Sequence, residues 1–267
     1  MKTVDDGRPD GLDEFDEFFI GYEPPMPPRL ARFVVTVVIV LAGAVAAWAV
    51  TLASGHVPLE GGMFEFGHPR LFSGTIVERP YPALQTDGVD QSKPARLILV
   101  APGKHGADEL VRGLDGRHVT LTGTRIQRGT RVMVEIEPGS IVRGDASESR
   151  LTPAAIRAES FAEGPITLRG EIVDSKCFLG VMVPGAGKTH KDCASLCLRG
   201  GVPPALYVQD RSGQSVVLLL TGPSDEPIGT QAVGLAGEAV DVSGAIERQG
   251  GWLVLRTDPR AWQPVAR

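Results

Sequence analysis

All three cysteines of this 267-residue chain lie in one stretch, "DSKCFLGVMVPGAGKTHKDCASLCLRGG", running from Asp174 to Gly201. Cys177 closes a predicted strand, and His190, Cys193 and Cys197 follow in a segment that reads as a short helix from His190 to Arg199. Thr189 and Asp192 have capping-box spacing at its start, and Gly200 and Gly201 stop it. At about 100° per residue, His190, Cys193 and Cys197 share one helical face, within about 60° of one another. Three thiolates and an imidazole make a Cys₃His set, which suits zinc. Soft thiolates suit Cu(I) equally. The same residues also allow a disulfide from Cys177 to Cys193 or to Cys197, leaving one spare thiol. A redox-active thiol is a third use. Asp174 and Lys176 read as solvated strand-end charges, although a nearby Lys can lower a thiol pKa.

Other chemistries find less support. "GAGKT" mimics a phosphate loop, but the full motif needs Gly at the position held by Met182. Nucleotide is therefore not expected as a ligand. The five histidines, at 56, 68, 105, 118 and 190, sit in no G-x-S-x-G or H-E-x-x-H setting. C-x-x-C-H, the haem-attachment motif, is absent. The sequence points away from an enzyme; any catalysis would have to come from the cysteine segment.

The elements that position this segment begin with "FVVTVVIVLAGAVAAWAVTLA", residues 33–53, which carries no charge. Its length spans a hydrocarbon core of roughly 30 Å, and no polar stripe marks it as a buried soluble helix. It lies far from the N-terminus for a signal peptide. Arg29 and Arg32 precede it, and no Lys or Arg follows until Arg70. The positive-inside rule then leaves the N-terminus in the cytoplasm. The expected location is a bacterial inner membrane, single-pass, with the rest periplasmic or extracellular, where thiols oxidise readily. Net charge is −5, with no basic run interleaved with aromatics, which argues against nucleic acid. Residues 1–32 read as an acidic cytoplasmic tail. Phe15, Phe18, Phe19 and Tyr22 in it suggest an interfacial anchor or a docking peptide.

Beyond the span the chain repeats itself. "SGTIVE" (73–78) matches "RGEIVD" (169–174) at an offset of 96, and "GLDGRHVTLTG" (113–123) matches "GLAGEAVDVSG" (234–244) at 121. The difference predicts 25 extra residues in the second copy, around the cysteines. Alternating apolar runs predict strands at "FSGTIVERPY", "ARLILVA", "HVTLTGTRI" and "RVMVEIE" in the first copy. In the second they fall at "ITLRGEIVD", "ALYVQD", "SVVLLLTG", "AVDVSGAIE" and "WLVLRTD". A short helix is expected at "GADELVRGL". Gly123 and Gly244 fit a bulge or sharp bend. The expected fold is mainly β, with two tandem small OB-like barrels. The first would cover residues 54–145 and the second 165–267, carrying the Cys/His helical insertion. A polar linker, 146–164, joins them, with a short helix starting at Thr152–Pro153.

"GEIVDSKCFLG…HKDCASLCLRGGVPPALYV" resembles a motif of uncharacterised exported bacterial proteins: G-x-x-x-D-x-K-C-x-x-G, then H-x-x-C-A-x-x-C, then G-x-P. The resemblance covers about 40 residues and implies relatedness without an activity. The expected function is a non-catalytic accessory subunit of a respiratory or other redox membrane complex, with the bilayer and that complex as partners. The alternative is a membrane-tethered metal-binding or thiol-redox factor. It would use Cys177, His190, Cys193 and Cys197, with zinc or copper as the cofactor.

Overall fold

The computed structural model describes residues 26–55, 61–86, 95–144, 159–160 and 164–265. The aromatics of the tail and the helix expected at Thr152–Pro153 lie outside these. Helix α1 covers Pro28–Gly55, longer at both ends than the 33–53 core. Proline suits a first helical position, where its missing N–H costs nothing. The hydroxyls of Thr36 and Thr51 donate to the carbonyls of Arg32 and Ala47, each at 2.8 Å. The helix thus satisfies its own polar groups, as an apolar solvent requires. Its side chains, Val45 and Trp48 among them, are exposed. One apolar helix of this kind can be a membrane anchor or a signal sequence.

The remaining described residues form a separate unit, 59–267, of two closed five-stranded barrels. The first contains β1 (Met63–Phe64), β2 (Arg70–Val77), β3 (Ala83–Thr86), β4 (Ala95–Ala101), β5 (His105–Gly106), helix α2 (Asp108–Val111), β6 (His118–Arg128), β7 (Arg131–Ile136) and β8 (Val142–Arg143). The second contains β9 (Glu159–Ser160), β10 (Ile166–Asp174), helix α3 (Lys191–Arg199), β11 (Pro204–Gln209), β12 (Ser215–Thr221), β13 (Ala239–Gln249), β14 (Trp252–Thr257) and β15 (Gln263–Pro264). The first ring runs β2–β3–β4–β7–β6 and back to β2; the second runs β10–β11–β12–β14–β13 and back to β10. In each, one parallel pair, β4–β7 or β12–β14, closes the barrel.

The repeat holds strand for strand. Arg70 opposes Gly123 in the first copy, and Ile166 opposes Gly244 in the second. Ile98 opposes Met133, and Leu219 opposes Val254. These pairs keep the offsets of 96 and 121 read from the sequence. The copies part where β2 passes to β3 across residues 78–82, while residues 175–203 separate β10 from β11. Gly123 and Gly244 make no bulge, because the ladder is unbroken on both sides. Each is the corner where a long strand changes partner. A Cβ at Gly244 would lie 2.1 Å from the Arg256 carbonyl oxygen. Strand β3, absent from the expected set, is only four residues long.

The uninterrupted apolar runs in β4 and β12 have a specific cause. Leu97 and Leu99 face the core of the first barrel, and Ile98 and Val100 face the second barrel. Leu218 and Leu220 likewise fill their own core, while Val217 and Leu219 enter the shared one. Both faces of each strand are buried, so alternation disappears. Polar contacts add to this interface. Tyr81 donates its phenolic O–H to the Leu220 carbonyl (2.7 Å) and accepts from the Ile228 N–H (3.0 Å). Trp252 Nε1 donates to the Arg96 carbonyl, and the Arg96 guanidinium donates to Gln249.

Candidate metal centre

Four consecutive residues, Asp174 to Cys177, leave the end of β10, and each has a separate role. Asp174 is fully buried. Its Oδ1 accepts the Cys177 N–H at 2.8 Å, and its Oδ2 lies 2.9 Å from His190 Nε2. Ser175 donates to the Pro203 carbonyl at 2.7 Å. Lys176, 1% exposed, reaches into the first barrel. There its ammonium donates to the carbonyls of Ala101 (2.8 Å) and Gly103 (2.7 Å) and pairs with Glu135 at 2.5 Å. Cys177 opens a wide helical turn, Cys177–Val181. Asp174 and Lys176 are therefore not the solvated charges that their strand-end position suggested. A buried ion survives only with partners, and both have them.

The second half of the centre is α3. The expected capping box does not form. A 3₁₀ turn over Lys188–His190 leads in, and His190 caps the helix without a side-chain bond. Glu171 accepts the Gly187 N–H, and Glu238 pairs with Lys188 and Lys191, which fixes this turn. Burial pushes the Glu171 carboxyl up from its usual range. Ala194 and Leu198 plug the core of the second barrel. The adjacent side, about 100° away around the axis, turns Cys193 and Cys197 toward Cys177. Gly201, at φ +91°, ends the helix.

The donors converge in two overlapping groups. Ligand atoms of Cys177, His190 and Cys193 all lie within 4.8 Å of one another, and so do those of Asp174, Cys177 and Cys197. Cys177 belongs to both. Such a cluster can hold a metal ion. With Nε2 given to Asp174, Nδ1 is the ring nitrogen left for it, an arrangement common around ligating histidines.

The expected disulfide is corrected by the geometry. All three cysteines are free thiols. Cys177 Sγ and Cys197 Sγ are 4.0 Å apart, about twice a disulfide bond length of roughly 2.04 Å. Their sulfurs instead stand at hydrogen-bond reach, and either can donate. The Cys177 thiol is pushed up by its contact with Cys197, then by burial and the Asp174 charge. The same contact with Cys177 holds Cys197 below the usual thiol range.

One participant gave no sign in the sequence. Lys104, in the turn between β4 and β5, places its ammonium 2.7 Å from Cys193 Sγ, across 89 residues of chain. This contact holds the Lys104 ammonium above its usual pKa. The turn is pinned to the end of α3 by the Gly106 N–H, which donates to the Gly200 carbonyl at 2.9 Å. A Cβ on Gly200 would stand 1.9 Å from the Lys104 carbonyl oxygen, so only glycine lets the two barrels meet here. No protein-family model and no curated protein matches this chain; the chemistry of the centre rests on its own geometry.

Proposed function

We propose that the chain is a membrane-tethered metal-binding protein, with Cys177, His190 and Cys193 as ligands and Cys197 behind them. The convergence of those three donors within 4.8 Å supports this most. Cys177 and His190 are only 4% and 3% exposed. Zinc and copper are the ions whose preferences match thiolate and imidazole. In this reading α1 is a permanent anchor in a bacterial inner membrane. Arg29 and Arg32 keep the N-terminus cytoplasmic, and the barrels are periplasmic or extracellular. The strand order fits OB-like barrels, with α3 in a helical insertion of the second. The likeness to exported proteins with the same Cys/His motif belongs to this proposal too.

A second role, as accessory subunit of a membrane redox complex, is supported by apolar surface. Met63 and Phe66 in and after β1, and Met182 and Val183 after the Cys177–Val181 turn that β1 packs against, are all exposed apolar side chains, and an apolar patch favours a covering partner. The two roles are compatible.

Metal analysis of the full chain, purified in mild detergent without chelators, is expected to give stoichiometric zinc or copper. Cys177→Ser and His190→Ala should each lose it. A protein that takes up neither ion would sink the reading. Protease added to intact cells with a permeabilised outer membrane should remove a C-terminal tag. Pull-down of a larger complex, weakened by Phe66→Ser with Val183→Ser, tests the second role.

A further inference from the structure

We infer that the centre is matched to a monovalent soft cation, Cu(I), with the Lys104 ammonium as its counter-charge. This rests on the metal-binding reading and narrows it. One of the two convergent donor sets is two sulfurs and one nitrogen, from Cys177, Cys193 and His190. Zinc sites that are purely structural want four protein ligands in a tetrahedron. The nearest oxygen donor is Asp174, and both of its oxygens are engaged, one by the Cys177 N–H and one by His190. Cys197 is grouped with Cys177 and Asp174, not with His190 and Cys193. Two thiolates and an imidazole in a three-coordinate set suit Cu(I), whereas zinc held by the same three would keep a fourth position open.

Charge points the same way. A metal-bound thiol gives up its proton, so the two sulfurs bring two negative charges and the neutral imidazole brings none. Cu(I) leaves the cluster with one negative charge. The ammonium of Lys104, 2.7 Å from Cys193 Sγ, cancels it. Zinc would leave the cluster neutral and the ammonium facing it without an opposite charge. Lys104 is not a ligand; it has no lone pair while protonated. It is a positioning and charge-setting residue contributed by the other barrel.

The test uses the full chain in detergent, reduced, with Cu(I) and Zn(II) each titrated against a chromophoric chelator. Lys104→Met should weaken Cu(I) by roughly three- to tenfold, the size expected for one partly screened charge. Zinc affinity should stay level or rise. Lys104→Arg, which keeps the charge, should restore Cu(I). X-ray absorption of the copper form should report three-coordinate S₂N ligation. Lys104 is half-buried at the surface, and a thermal melt of each variant should match the parent. Equal losses for both ions in Lys104→Met, or four-coordinate zinc weakened by that change, would overturn the inference and leave the metal site standing. Failure of the parent chain to bind either ion would overturn the metal-binding reading itself.

Discussion

Asp174 Oδ2 lies 2.9 Å from His190 Nε2, with the carboxylate fully buried. A carboxylate accepts, so the proton of this contact sits on Nε2, which leaves Nδ1 as the ring nitrogen for a metal. Asp174→Asn tests this at small steric cost. The amide can still accept the Cys177 N–H through its oxygen, while its NH₂ donates to Nε2 and moves the ring proton to Nδ1. Metal affinity should fall by about 10- to 100-fold, with the fold retained. Competition titration measures the loss, and an unchanged affinity would show that His190 does not bind through Nδ1.

Lys176 is expected to be a main fastener between the barrels. Lys176→Met strands Glu135 and two carbonyls, and should cost about 3 kcal/mol in urea unfolding. Adding Glu135→Gln removes the unpaired charge and should recover part of that loss. No recovery in the double variant would mean that the carbonyl bonds, rather than the ion pair, dominate.

Cys193 is the one cysteine of the three that is not buried. A small alkylating reagent applied to the metal-free native protein should modify Cys193 first, with Cys177 and Cys197 following only on unfolding. Peptide mass spectrometry reads the order. Equal rates for all three would contradict the packing of α3 against its barrel.

Tyr81 gives a pH signature. Burial raises its phenol pKa above the usual value, which is about 10. A raised pKa means that the folded state favours the neutral phenol. That stability is fully present below about pH 10 and is lost as pH climbs toward the folded-state value. Tyr81→Phe should lower stability at pH 7 by about 1–3 kcal/mol, since the Leu220 carbonyl and the Ile228 N–H lose their partner. It should also flatten the decline above pH 10. Urea unfolding of both proteins from pH 8 to 11 compares the slopes, and parallel slopes would rule out Tyr81 as the titrating group.

Legibility in the sequence followed the range of each signal. The strands of both copies showed through alternation and through the paired G-L-x-G motifs, because those patterns are local. β3 was missed because four residues carry too little pattern. That Cys193 and Cys197 share a helical side was readable from spacing alone; that they meet Cys177 in two different donor sets, one with His190 and one with Asp174, was not. Burial of Asp174 and Lys176 was not, since it is created by Glu135 and by carbonyls of a distant turn. Lys104 was invisible for the same reason: nothing near it in the chain involves thiols. The continuous apolar runs in β4 and β12 did hold a clue, as strands covered on both faces lose their alternation.

Those runs carry a consequence for how the chain must be made. A first barrel released alone would display Ile98, Val100, Ile126 and Met133, which the complete protein covers. A second barrel alone would display Val217, Leu219 and Trp252. Each half would then present a β-rich apolar surface of the kind that drives self-association, with Glu135 and Arg96 on one half and Lys176 on the other left without their partners. Cutting the chain between the barrels should therefore yield two aggregating fragments rather than two working modules. During synthesis the first half must wait, sticky side open, until the second half is complete.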